Sequence, residues 1–195
     1  MLFFVCGLTM LATTDAKKAL KAIAGEVVVT AACSITRNAA PPPGTETPVK
    51  GTVEMKQPIG GSTTMNINIS GLPPETLHGF HIHEFGDIAT KGCQSTGDHY
   101  NPLHMAHGGP LDKVRHVGDL GNLISNREGV VIMTLEDPLV SLVGPFSVIG
   151  RAFVIHEKID DLGRGPGPET LKTGNAGARL GCGVIYHVPV KLPGN

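Results

Sequence analysis

The sequence predicts an all-β protein, an antiparallel sandwich or barrel carrying two long functional loops. Three observations lead there. Apolar and polar residues alternate with period two in many short stretches, which is the pattern of a sheet with one wet face. Gly 26 and Pro 15 in 195 residues, with only 4% aromatics, suit short strands joined by many turns. Finally, two segments, about 86–112 and 157–181, are rich in Gly, Asp and His and lack periodicity. Unstructured loops of that length in one domain are usually functional.

The strands follow in order. In "VVVTAACSIT", Val27, Val29, Ala31, Cys33 and Ile35 share one side, and Thr30, Ser34 and Thr36 the other. The Pro-rich run 37–48 reads as a hairpin connection. "VKGTVEMK" sets Val49, Val53 and Met55 against Lys50, Thr52, Glu54 and Lys56, and "TMNINIS" sets Met65, Ile67 and Ile69 against Asn66 and Asn68. "GFHIHEF" alternates as well. The stretches 129–136 and 147–157 and the final "CGVIYHVPV" are also β-rich. No internal repeat or low-complexity tract occurs. With a formal net charge of −1, no basic surface points to nucleic acid or an anionic membrane.

The N-terminus has its own signal. Leu2 to Ala12 is an apolar run followed by Thr14 and Ala16, small residues at −3 and −1 of a cleavage point. We read 1–16 as a secretory signal peptide and 17–195 as one domain. The run is too short for a membrane span, which needs ~20 apolar residues. The n-region lacks Lys and Arg, so an uncleaved tail, or a start at Met10 with a cytoplasmic product, is the alternative. Removal of Cys6 with the signal leaves Cys33, Cys93 and Cys182, room for one bridge and one free thiol. Asn68-Ile69-Ser70 fits the N-glycosylation sequon.

Chemistry concentrates in the histidines, of which there are nine. On a strand, Phe80 and Ile82 face the core, and His81 and His83 then converge on the opposite face. Downstream come His99, His107, His116 and Asp119, three imidazoles and a carboxylate in the first three and the last, a set suited to Zn²⁺. "VIHEKIDD" adds His156. Six histidines and one aspartate are one ligand short of two four-coordinate sites. The deficit disappears if one imidazole uses both ring nitrogens, and His99, first in its loop, is the natural bridge. His78, His104 and His187 read as ordinary histidines.

With these residues in place the chain resembles the Cu/Zn superoxide dismutase family from about Val27 to Ile185. "GFHIHEFGD", "NPLHMAHGGP", "RHVGDLGN", "VIHEKIDDLG" and "GNAGARLGCGVI" follow the family's pattern in order and nearly in spacing. The resemblance implies an eight-stranded Greek-key β-barrel or sandwich and a homodimer, as an extracellular member. It implies copper held by His81, His83, His99 and His156, and zinc held by His99, His107, His116 and Asp119. Asp160 then links a copper histidine to a zinc histidine. Cys93 and Cys182 form the disulfide, Arg179 stands beside copper, and Glu169 and Lys172 lie on the rim of the substrate channel. The implied reaction converts superoxide to O₂ and H₂O₂, with His99 and Arg179 as the residues that act on it. A copper chaperone is the implied loading partner. The stretch between Phe85 and Cys93 is one residue longer than the family's usual, and no ligand is missing. Two other classes remain: a chaperone's dismutase-like domain, which usually carries a separate Cys metal motif, and a zinc-stabilised sandwich without catalysis.

Overall fold

The computed structural model describes residues 27–189; the signal segment expected at 1–16 lies outside them. Eight strands run β1 Val28–Arg37, β2 Lys50–Pro58, β3 Thr63–Ser70, β4 Leu77–His83, β5 Asp119–Ile124, β6 Val131–Asp137, β7 Ala152–His156 and β8 Arg179–His187. They form one sheet in the order β5-β4-β7-β8-β1-β2-β3-β6, antiparallel throughout. The terminal strands β5 and β6 approach each other, so the sheet nearly closes into a barrel. Full closure is the surest way to remove exposed strand edges. The β1–β8 and β4–β7 neighbours are distant in sequence, which gives the Greek-key connectivity.

The alternating side chains fill the barrel. Cys33 and Ile35 of β1, Val53 and Met55 of β2, Met65, Ile67 and Ile69 of β3, and Ile185 of β8 are all buried in one cluster. Phe80 and Phe153 stack inside it with ring centroids 5.0 Å apart. On β2 the partners Lys50, Thr52, Glu54 and Lys56 face water, as the alternation predicts.

Two features differ from the expectation. Strand β5 gives no period-two signal, because it carries Asp119 at its start and Gly121 at φ 77°. And β4 and β7 have no wet face: every residue of β7, and all of β4 except Leu77, is buried. The segments 84–118 and 157–178 cover the outside of these strands. Tyr100 N–H donates to Ile82 O at 2.8 Å, Ile82 N–H to Gly118 O at 2.9 Å, and Gly79 N–H to Lys158 O at 2.9 Å. Position 118 must be glycine, since a Cβ there would run into the Ile82 carbonyl.

Three fastenings hold the covers down. Cys93 and Cys182 form a disulfide across 89 residues; closing a loop of that length stabilises by about 4–5 kcal/mol in the chain-entropy model. Buried Arg115 reaches Asp137 at 2.6 Å and Asp119 O at 2.9 Å, tying the first segment to the end of β6. Exposed Arg164 grips both Asp112 carboxylate oxygens, at 2.9 and 3.0 Å, joining one cover to the other.

Candidate metal centre

The cover over β4 and β7 encloses eight polar side chains that sequence reasoning singled out. His81, His83, His99, His107, His116, Asp119, His156 and Asp160 are each at most 5% exposed. Burial on that scale is tolerable only if every lone pair and proton has a partner. The hydrogen bonds fix where each ring carries its proton. His83 donates from Nδ1 to Gly97 O at 2.9 Å, and His156 from Nδ1 to Gly177 O at 3.2 Å. His81 donates from Nε2 to Asp160 Oδ2 at 2.9 Å, and His107 from Nε2 to Asp160 Oδ1 at 2.8 Å. Asp160 is pinned in turn, since Asn122 donates to its carbonyl at 2.9 Å and accepts from its N–H at 2.8 Å.

On these four rings the other nitrogen is therefore a lone pair, while His99 and His116 turn Nδ1 to Asp119, and the ring nitrogens meet at two points. At the first, Nε2 of His83 faces Nε2 of His156 at 3.2 Å. The Nδ1 of His81 and the Nε2 of His99 are buried there with no hydrogen-bond partner. Two lone pairs at that distance repel unless a proton or cation lies between them. At the second point the Nδ1 atoms of His99, His107 and His116 lie 2.9, 3.0 and 3.0 Å from the same Asp119 oxygen. The His107 nitrogen is near that oxygen but lacks hydrogen-bond alignment and stays unpartnered. Asp119's other oxygen is occupied by the N–H groups of His116 and Gly108 at 2.8 and 3.1 Å. A tetrahedral ion with bonds of ~2.0–2.1 Å sets ligand atoms about 3.3 Å apart, close to these separations. Each cluster offers four ligand atoms, all within 4.8 Å of one another. His99 belongs to both, one nitrogen in each. The donor sets fit two metal ions.

Charge follows the same plan. Burial first, then the neighbouring imidazoles and Arg179, push His83 and His156 well below the ordinary histidine range. Burial and His81 lower His99 to about 3. Burial opposes charge on His107 too, but the adjoining Asp119 and Asp160 carboxylates outweigh this and raise it to about 9. Burial likewise opposes ionisation of Asp160, yet His107 and His81 bring it down to about 2. Asp119 is held well below the carboxylate range by His107, His116 and His99 against the cost of burial. Neutral His83, His99 and His156 beside ionised Asp119 and Asp160 are the protonation states that metal binding demands, whereas His107 must give up a proton to become a ligand.

A cavity of about 290 Å³ opens onto the first cluster, lined by His83, His99, His156, Glu169, Thr173 and Arg179. A larger hollow of about 720 Å³ lies outside it, over His99 and His116; the smaller cavity is the one that reaches the converging lone pairs. Glu169 lines both, whereas Lys172 lines only the outer hollow and pairs with Glu169 at 3.2 Å. The Arg179 guanidinium is fixed by Cys93 O at 2.8 Å, Thr96 Oγ1 at 3.0 Å and Gly97 O at 2.7 Å.

The other expected residues are placed as follows. His78 is buried, bonded to His156 O at 2.9 Å and Thr76 Oγ1 at 2.7 Å. His104 and His187 are exposed and outside both clusters. Cys33 is a free, buried thiol that burial pushes up to about 12. Asn68 is exposed on β3. Sequence reasoning missed Asn122, and it missed Arg151, whose guanidinium sits 3.6 Å over the Tyr100 ring and donates to Glu84 O at 2.7 Å. Neither carries a local signal, because their partners are far away in the chain.

An antiparallel barrel with two buried histidine clusters sharing one imidazole defines a protein with paired metal sites. Residues 49–185 match the family model described as copper/zinc superoxide dismutase (SODC). The chain is also 51% identical over 141 residues to the extracellular superoxide dismutase [Cu-Zn] of Onchocerca volvulus, covering 70% of this chain and 69% of that protein. The chain belongs to the copper/zinc superoxide dismutase family, and it is a copper- and zinc-dependent superoxide dismutase.

The buried imidazoles make the metal-free protein acid-sensitive. His83, His99 and His156 have depressed folded-state values, so below about 6.5 the unfolded chain binds protons that the fold excludes. Stability then falls with falling pH, by up to ~1.4 kcal/mol per pH unit for each such proton. His107 has the opposite sign, but its contribution is already complete below about 6.5, and the depressed carboxylates lose theirs only below about 4. The denaturation midpoint of chelator-stripped protein is expected to drop steadily from pH 7 to pH 5. A flat or rising profile would contradict the charge states described.

Proposed function

We propose that His81, His83, His99 and His156 hold the copper of this superoxide dismutase, and His99, His107, His116 and Asp119 its zinc. One observation carries the reading: His99 offers a different ring nitrogen to each cluster. Bound copper supplies the one-electron chemistry that turns two superoxide anions and two protons into O₂ and H₂O₂, whereas zinc has no redox chemistry.

The chain's own residues do the rest. Arg179 draws the anion in: its charge persists at any physiological pH, and a small ion offers little else to recognise. Glu169 and Lys172 shape the field at the rim as a neutralised pair, so Arg179 is the stronger attractor. When its Nε2 is not engaged by copper, His99 would hold a proton there for the second superoxide, with Nδ1 still turned toward Asp119. Asp160 keeps the His81 and His107 rings in the tautomers that present Nδ1. The carbonyls of Gly97 and Gly177 do the same for Nε2 of His83 and His156. No observation favours a chaperone-type or non-catalytic domain, since both clusters are complete.

The N-terminal reading belongs here too. Residues 1–16 act as a cleaved secretory signal and 17–195 as the mature domain, placing the enzyme outside the cell. A disulfide suits an oxidising compartment, and the relative's printed name is that of an extracellular enzyme. The exposed sequon at Asn68 is then a glycosylation acceptor. A homodimer, loaded by a copper chaperone, completes the reading.

His99→Ala is expected to perturb both metals, whereas His107→Ala mainly empties zinc, as metal analysis and copper spectra would report. A His99 variant with normal copper spectra and full zinc removes the shared ligand.

Arg179→Glu should cut the second-order rate well beyond Arg179→Lys, with both metals retained, and should flatten the fall of rate with added salt. Screening acts over ~10 Å at 0.1 M, so the comparison runs from low to moderate ionic strength. A charge-reversed enzyme with wild-type rate and salt dependence takes Arg179 out of the substrate's path.

Expressed in eukaryotic cells, the protein should reach the medium with an N-terminus near Lys17. It should also show a glycosidase-sensitive mass that Asn68→Gln abolishes, and a native mass twice that of the chain. Full-length Met1 chain confined to the cytosol contradicts the secretory reading.

A further inference from the structure

The Pro-rich connection after β1 opens with a residue that no part of the metal chemistry uses. Asn38 is only 2% exposed, unusual for an amide side chain at a loop start. Its backbone N–H donates to Leu180 O at 2.8 Å, and its Nδ2 donates to Arg179 O at 2.9 Å. Its Oδ1 accepts from Cys93 N–H at 3.0 Å and from Ala40 N–H at 3.1 Å. One amide thus joins three segments: the end of β1, the loop that carries Cys93, and the start of β8.

The same two segments are joined covalently by Cys93–Cys182, three residues beyond Arg179. They are joined again by the Arg179 side chain, which reaches Cys93 O and Gly97 O. Gly97 O also accepts from His83 Nδ1. A polar path therefore runs from Asn38 through the backbones of Cys93 and Arg179 to Gly97 and the His83 ring. The loop can come this close only because position 92 is glycine. Its φ is 56°, and a Cβ there would strike Asn38 Oδ1.

We propose that Asn38 is a positioning residue, a second clasp parallel to the disulfide, which keeps the Cys93 loop docked on β8 and holds Arg179 and His83 aimed at the copper cavity even when the disulfide is reduced. Resting on the proposed roles of His83 and Arg179, it adds a residue that touches neither substrate nor metal. Because the clasp keeps the two thiols together after reduction, it favours re-formation of the bond. Two hydrogen bonds across the joint, one buried and one part-buried, set the expected size at about tenfold in the thiol–disulfide equilibrium.

The test equilibrates metal-loaded enzyme, under argon, in mixtures of reduced and oxidised dithiothreitol, and traps free thiols. Reduced dithiothreitol gives up two electrons and two protons as it closes to its cyclic disulfide, and Cys93–Cys182 becomes two thiols. Asn38→Ala is expected to reach half reduction at a reductant ratio about tenfold lower than wild type. Its disulfide-reduced form should also lose more activity per bound copper than reduced wild type. Asn38→Asp keeps the acceptor for Cys93 N–H and loses the donor to Arg179 O, so an intermediate shift is expected; it carries the measurement if Asn38→Ala does not fold. A residue that adds only to global stability lowers the melting temperatures of oxidised and reduced forms alike and leaves the redox equilibrium in place. Both variants within twofold of wild type would overturn the clasp. If the equilibrium shifts while reduced Asn38→Ala matches reduced wild type per copper, the clasp does not position the site and the proposal fails. Because activity is compared per bound copper, a wrong ligand assignment appears separately, as altered metal content in the histidine variants.

Discussion

Seven buried lone-pair donors aimed at two points are the constraint on which this molecule depends. His81, His83, His99 and His156 at one point, and His99, His107, His116 and Asp119 at the other, satisfy one another only in part: His81 Nδ1, His99 Nε2 and His107 Nδ1 have no hydrogen-bond partner. The protons of His81, His107, His83 and His156 are already committed to Asp160, Gly97 O and Gly177 O. Uncompensated, such a cluster is among the more costly things to bury. With cations at both points the same groups become ligands, and the cost turns into binding energy that stabilises the fold.

The barrel makes that concentration feasible by separating two tasks. Its inner face, with Phe80, Ile82, Phe153 and Ile155, forms the apolar core. The outer face of β4 and β7 is given over to histidines; the covering segment 84–118 adds His99, His107 and His116, segment 157–178 adds Asp160, and together they exclude water. Those segments have little regular structure of their own: a 3₁₀ turn at Gln94–Thr96 and a short helix, α1, at Thr170–Thr173. They are held by point contacts instead, namely the disulfide, the Arg115–Asp137 pair and the bonds of Asp160. Asp160 is the most economical of these, since one carboxylate orients a ring in each cluster.

Much of this could be read from the chain because strands and metal ligands both impose short-range order. Alternation in β1, β2 and β3 announced their buried faces, and the i, i+2 spacing of His81 and His83 placed both on one side of β4. His99, His107, His116 and Asp119 crowd into 21 residues, so their grouping was visible before any geometry. What escaped is what depends on distant partners. Strand β5 is specified by pairing with β4, with no alternation of its own. The loss of a wet face on β4 and β7 depends on loops folding back from far along the chain. Asn38 and Asn122 look like ordinary turn residues in sequence and acquire their roles only through contacts 141 and 38 residues away.

The most direct measurement is anomalous diffraction from crystals of the metal-loaded protein, collected on both sides of the copper and zinc absorption edges. The account predicts two peaks per chain. A copper-edge peak should lie among His81 Nδ1, His83 Nε2, His99 Nε2 and His156 Nε2, and a zinc-edge peak among the Nδ1 atoms of His99, His107 and His116 and the Asp119 carboxylate. A single metal peak, or a copper peak away from His99, would contradict it.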